Sequence, residues 1–132
     1  MIFEKMRYLG IDYGRKRIGL ALGEEGLVRP LVVYFQGKDI FEKISKICIE
    51  EAIDKVVLGI SDNLEEEIKK FSRRLADKLN LPIVFQNEAL TTREAIDIML
   101  ISSTKQKDRR KKVDSVAAAQ ILSVYFANIG DN

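Results

Sequence analysis

Histidine is absent from all 132 residues. That removes the Ser-His-Asp and Cys-His relays of nucleophilic catalysis. Cysteine is nearly absent too: Cys48 stands alone, so no disulfide can close within the chain. With one thiol and no imidazole, a zinc site of the usual kind cannot be assembled from these residues. Cys48 lies among Ile44, Ile47 and Ile49, where a free cysteine serves as a small apolar core residue. Residues 1–30 also lack any continuous apolar run long enough for a signal peptide or a membrane span. The expectation is a cytoplasmic protein without membrane contact. No repeat and no linker divides the sequence, and its length suits one domain, 1–132, with a core that needs neither disulfide nor metal. What remains for hydrolytic chemistry is carboxylates, which favour hard, oxygen-loving cations such as Mg²⁺ or Mn²⁺.

What is present is unevenly spread. The net charge is +2, yet Lys105–Lys112 (K-Q-K-D-R-R-K-K) carries +5, leaving −3 for the rest. A basic segment on a mildly acidic body points to phosphate or nucleic acid as partner.

Hydrophobic patterning sets out the elements. Arg7–Asp12 and Arg17–Leu22 read as a hairpin, and Leu27–Phe35 as a third strand whose Pro30 implies irregular or edge pairing. Asp39–Ala52 has helical spacing, with Ile40, Ile44, Ile47 and Cys48 along one face. Lys55–Ile60 is a short β-branched strand, buried on both sides. Asp62–Leu79 repeats Leu64, Ile68, Phe71, Leu75 and Leu79 as a helix, and Glu65, Glu66 and Glu67 suit its first turn. Pro82–Phe85 is a fifth strand, and Thr91–Glu94 resembles a capping box opening another helix. Ser102–Lys112 reads as a mobile loop, and Val113–Ala127 as a last, Ala-rich helix. Three hairpin-style strands followed by alternating helices and strands imply an α/β fold, one five-stranded mixed sheet with helices on both faces.

Three acids occupy element ends. Asp12 closes the first strand in G-I-D-Y-G, where Gly14 offers a turn with positive φ and Gly10 and Gly19 leave room beside the acid. Glu88 follows the fifth strand, and Asp114 opens the last helix. Taken singly, Asp12 caps a turn, Glu88 is a solvated loop acid and Asp114 complements a helix dipole. Taken together, they are carboxylates that a compact sheet can bring to one edge. Such a set repels itself and is tolerated mainly where divalent cations sit. Arg15, Lys16 and Arg17 flank Asp12, while Lys105, Lys107, Arg109, Arg110, Lys111 and Lys112 precede Asp114. Cations beside acids suit a phosphate-bearing substrate.

On four stretches, G-I-D-Y-G-R-K-R-I-G-L-A, V-V-L-G-I, N-E-A-L-T-T and K-K-V-D-S-V-A-A-A, the chain resembles the YqgF-type family of RNase H-like nucleases. The resemblance covers nearly the whole chain in order. It implies an RNase H-like fold whose first three strands are antiparallel, with Asp12, Glu88 and Asp114 as catalytic and metal-binding acids. It also implies one or two Mg²⁺ or Mn²⁺ ions, and products with a 5′-phosphate and a 3′-hydroxyl. The family's members are described as nucleases maturing the small-subunit rRNA precursor and as Holliday junction resolvases. The expected activity is therefore a metal-dependent nuclease processing the 5′ end of pre-16S rRNA in ribosome biogenesis.

Two departures from the family stand out. Asn87 and Ala89 replace its usual Asp and Arg around Glu88, and Ile60-Ser61-Asp62-Asn63 replaces its Pro- and Gly-rich loop. These motivate one alternative, a catalytically weakened nucleic-acid-binding protein. A second alternative is a resolvase of DNA junctions; as resolvases cut two symmetric strands, a homodimer would favour it and a monomer RNA processing. A third, a sugar kinase or actin-like ATPase, needs two such domains where this length supplies one.

Overall fold

The computed structural model describes residues 5–87 and 106–130; the side chains of 106–114 and of Gly130 lie outside that description. Its elements are β1 (Arg7–Tyr13), β2 (Arg17–Glu24), β3 (Leu27–Phe35), α1 (Ile40–Glu50), β4 (Lys55–Ile60), α2 (Glu65–Leu79), β5 (Ile83–Asn87) and α3 (Gln106–Gly130). A single 3-10 turn, Asp62–Leu64, leads into α2. The five strands form one sheet in the order β3-β2-β1-β4-β5. β1, β2 and β3 pair antiparallel, whereas β4 and β5 run parallel to β1.

Local chemistry accounts for the joints. Glu25 (φ 54°) and Gly26 (φ 81°) form the two-residue β2–β3 turn, a conformation that matches strand twist and needs positive φ at both positions. Gly14 is not in that region; it is needed because a Cβ there would stand 2.5 Å from the Arg17 carbonyl oxygen. β3 is an edge strand, and its register with β2 shifts where Ala21 faces Pro30, so one extra residue bulges out of the ladder. α2 ends at Asn80, left-handed at φ 57°, whose N–H donates to the Ala76 carbonyl.

Period-two alternation sorts the side chains. Leu9 and Ile11 of β1, Ile18 and Leu20 of β2, and Val56 and Leu58 of β4 pack under α1 and α2 against Ile40, Ile44, Ile68, Phe71 and Leu75. The opposite face carries Ala21 and Val57 against Ala118, Ala119, Ile121 and Leu122 of α3. The helices therefore cover both faces, as the patterning implies.

The last helix departs from expectation. Gln106–Lys112 is not a loop: it forms the first two turns of α3. Gln, Lys and Arg are good helix formers, and no Gly or Pro interrupts the run. High charge marks a solvated segment without deciding its backbone. The capped helix expected from Thr91 lies outside the described residues. Among those described, no helix is long and apolar enough to cross a membrane.

Candidate active site

The parallel strands β1, β4 and β5 all end at one edge of the sheet, where open α/β sheets bind their ligands. Asp12 stands at that edge. It is half-buried and paired across β2 with Gly19, and it shares the α3 face with Tyr8 and Gly10 because Leu9 and Ile11 point the other way. On its β4 side, one step beyond the Ile11–Leu58 pair, stands Gly59. Glycines thus flank Asp12 on both neighbouring strands, and no Cβ crowds it from either side. Gly59 was legible as the lone glycine in a β-branched run. Its position beside Asp12 depends on strand order, which local sequence does not carry.

α3 runs against this face in the sense opposite to β1. Tyr8 packs on Phe126 and Tyr125, with ring centroids 4.9 and 5.9 Å away. Two residues further along β1, a Cβ on Gly10 would lie 2.6 Å from Leu122 Cγ and 2.8 Å from the Ala118 carbonyl oxygen. Two strand residues advance about 6.6 Å, or roughly four helix residues. The next residue on that face, Asp12, thus comes level with the α3 turn from about residue 114 to 118. Ser115, in that turn, is buried. Asp114 belongs to the same turn by its backbone, and its side chain lies outside the described residues. Glu88, the residue after β5, also lies outside them, as does Lys105. Among the described residues no three ligating side chains gather into a metal-holding group.

The basic turn after β1 is built firmly. Gln36, just past β3, donates from its side-chain amide to the Gly14 carbonyl at 2.9 Å and from its backbone N–H to the Lys16 carbonyl at 2.8 Å. Arg15 donates to Glu67 of α2 through Nη2 at 2.7 Å and through Nε at 3.0 Å. The Tyr13 hydroxyl reaches the same carboxylate at 3.5 Å. Hydrogen bonding from Arg15 holds the Glu67 carboxyl below its usual range. Burial, then the Glu67 charge, pushes the Tyr13 hydroxyl up. Lys16 is exposed and Arg17 half-buried at the start of β2. An open cleft of about 510 Å³ lies between Gly14–Arg17 and Asn63–Leu64, on the carboxyl edge of the sheet. Lys107, Arg109, Arg110, Lys111 and Lys112 lie in the opening turns of α3, their side chains outside the description.

The Arg15–Glu67 pair was not foreseen from the sequence. Glu67 fits the first turn of α2 locally, and its partner is 52 residues away.

Comparisons with known proteins bear on the family and the fold. The family model described as "RuvX: Holliday junction resolvase" matches residues 6–128. A relative from Syntrophus aciditrophicus, named "Putative pre-16S rRNA nuclease", is 35% identical over 92% of this chain and 88% of its own. One of the same name from Bacillus subtilis is 29% identical over 94% of this chain and 99% of its own. Among solved structures, Thermus thermophilus RuvC in complex with a Holliday junction substrate superposes with a TM-score of 0.60 at 16% identity, covering 95% of this chain and 96% of that one. The fowlpox virus resolvase, in complex with Holliday junction DNA, gives 0.60 at 15% identity, covering 96% and 100%. The likeness to these structures is one of fold, and the fold is RNase H-like.

Proposed function

The chain belongs to the RuvX family, and from that premise we propose that it is a divalent-metal-dependent nuclease whose substrate is the 5′ end of pre-16S rRNA. One observation carries the reading: the half-buried Asp12 stands between glycines at the carboxyl edge of β1, level with the α3 turn that contains Asp114. The names of the curated relatives support the choice of RNA.

Asp12, Glu88 and Asp114 are the residues that would hold Mg²⁺ or Mn²⁺. The fit is chemical: an all-oxygen donor set with no imidazole or thiolate suits these hard cations. Asp12 also has room beside it for a phosphate oxygen, since Gly19 and Gly59 carry no Cβ. A bound ion would supply Lewis-acid stabilisation of the negative charge that builds on the phosphodiester oxygens as water attacks, and a water of lowered pKa. The chain's own residues do the rest. Lys16 and Arg17 offset phosphate charge beside Asp12, and Arg15 does so from its seat on Glu67. The cations from Lys105 to Lys112 follow the backbone toward Asp114, positioning the strand without reading its bases.

The test is cleavage by purified protein with Mn²⁺, offered a pre-16S 5′ fragment and, separately, a four-way DNA junction. Cleavage of the RNA, leaving 5′-phosphate and 3′-hydroxyl ends and stopped by EDTA, is the expected result. Asp12→Asn, Glu88→Gln and Asp114→Asn should each lower the rate on the order of 10²–10³-fold, the scale of losing a preorganised electrostatic group. Mn²⁺ should also raise the melting temperature of wild type more than that of Asp12→Asn. Undiminished cleavage by Asp12→Asn would overturn the site. Cutting of the junction alone would replace the RNA substrate with DNA, and binding of RNA without any cutting would mean that Asn87 and Ala89 mark a protein that holds its target only.

A further inference from the structure

A second cationic cleft, of about 630 Å³, lies on the α1–α2 side of the β1–β2 turn. Lys38, Lys70, Arg74 and Arg15 surround it, and its apolar wall is Phe41, Phe71 and Tyr13. The one carboxylate in its lining, Glu67, is taken by Arg15. Lys70 follows Glu67 by three residues and Arg74 follows Lys70 by four, which puts all three on one face of α2.

Four lysines of these helices behave differently. Lys43 pairs with Asp39, Lys46 with Glu50, Lys69 with Glu65 and Lys78 with Glu42. Among the described residues Lys38, Lys70 and Arg74 close no salt bridge and all three are exposed, Lys70 adding only its charge to the hold of Arg15 on Glu67. An ordinary solvated surface balances most of its charges, as the rest of α1 and α2 does apart from Arg73. Here the excess lines a cleft that also has aromatic walls. The Arg74 guanidinium sits 4.7 Å from the Phe41 ring centroid, and Phe41 lies 5.2 Å from Phe71.

We propose that this cleft binds the sugar–phosphate backbone and one unstacked base of an unpaired stretch of the substrate strand, beside the scissile position. The inference rests on the nuclease reading above and extends it to a surface outside the carboxylate edge. Arg15 and Tyr13 connect the two, because Tyr13 follows Asp12 directly and Arg15 stands two residues further on, so a strand passing over the β1–β2 turn meets Arg15 first. The cations neutralise phosphates, while Phe41 and the Arg74 plane offer stacking to a free base face. A duplex keeps its base faces stacked, so the aromatic wall selects for unpaired nucleotides.

The experiment measures binding of fluorescein-labelled oligouridine, oligothymidine and a blunt RNA duplex in EDTA at several salt concentrations. The proteins are wild type, the variant Lys38→Gln/Lys70→Gln/Arg74→Gln, and a control, Lys43→Gln/Lys46→Gln/Lys69→Gln, with the same change in net charge. The first variant should flatten the log–log salt slope for the single strands by about two, at about 0.7 per lost contact. The control should leave it near the wild-type value. Phe41→Leu should weaken single-strand binding about tenfold, the scale of one lost base stack, and duplex binding little. Oligouridine against oligothymidine separates an RNA strand from a DNA strand. Equal slopes in wild type and the first variant, or equal flattening in the control, would overturn this surface and leave the nuclease reading standing. Wild type that binds no strand at all would overturn both.

Discussion

Beneath α1 and α2 the sheet presents Leu9, Ile11, Ile18, Leu20, Val56 and Leu58, whereas beneath α3 it presents Gly10, Ala21 and Gly23 beside Val57 and Tyr8. The two faces solve different problems. Branched side chains keep helix and sheet apart and fill the space between, and they can be exchanged for others of similar volume at small cost. Small residues bring the backbones together, so that the Ala118 carbonyl lies where a Cβ on Gly10 would be. There is little slack to absorb a change. The first face supplies stability, and the second fixes α3 relative to the Asp12 end of β1.

Three substitutions probe that contrast. The largest effect on stability is expected for Leu58→Ala, fully buried under α1 and α2, at about 2–5 kcal/mol in denaturant unfolding. The folded fraction should keep its cleavage rate; a parallel loss of rate would show that this face also tunes the site. Gly10→Ala should cost less, about 1–3 kcal/mol from overpacking. It should nevertheless slow cleavage in protein that remains folded, because α3 must move away from β1. Full activity in folded Gly10→Ala would end the distinction between the faces.

Glu67→Gln is the smallest. Arg15 lowers the Glu67 carboxyl in the folded protein, so this pair adds stability above the ordinary glutamate value of about 4.3 and loses it as pH falls through the lower folded value. As an exposed pair it contributes little at neutral pH. Urea midpoints measured from neutral to acid should therefore drop slightly more in wild type than in Glu67→Gln. Identical acid dependence would show that the pair contributes nothing.

Much of this architecture is legible in the residues. Leu27–Phe35 and Lys55–Ile60 are strands over the ranges that their β-branched patterning predicts, and the other strands differ by one or two residues at their ends. Pro30 correctly marks an irregular edge strand, because its missing N–H is a local property that no tertiary contact restores. The start of α3 is different. Five cations in the seven residues Gln106–Lys112 look like a solvated loop, although lysine and arginine favour a helix as readily as leucine does. Asp12 is legible as a candidate site residue because an acid at the end of an apolar strand, among glycines, is out of place by ordinary packing rules. The seat of Arg15 on Glu67 is not, since it arises only when α2 folds back across the carboxyl edge.

The lone thiol has a practical consequence. Cys48 is 6% exposed on the inner face of α1, and burial pushes its pKa up to about 11. Thiol reagents attack the thiolate, so the native protein should be nearly inert to them at neutral pH. Modification can then proceed only through moments when α1 lifts from the sheet, and its rate becomes a clock for that opening. With no second cysteine to confuse the signal, the chain carries a natural label for how often its aliphatic face comes apart.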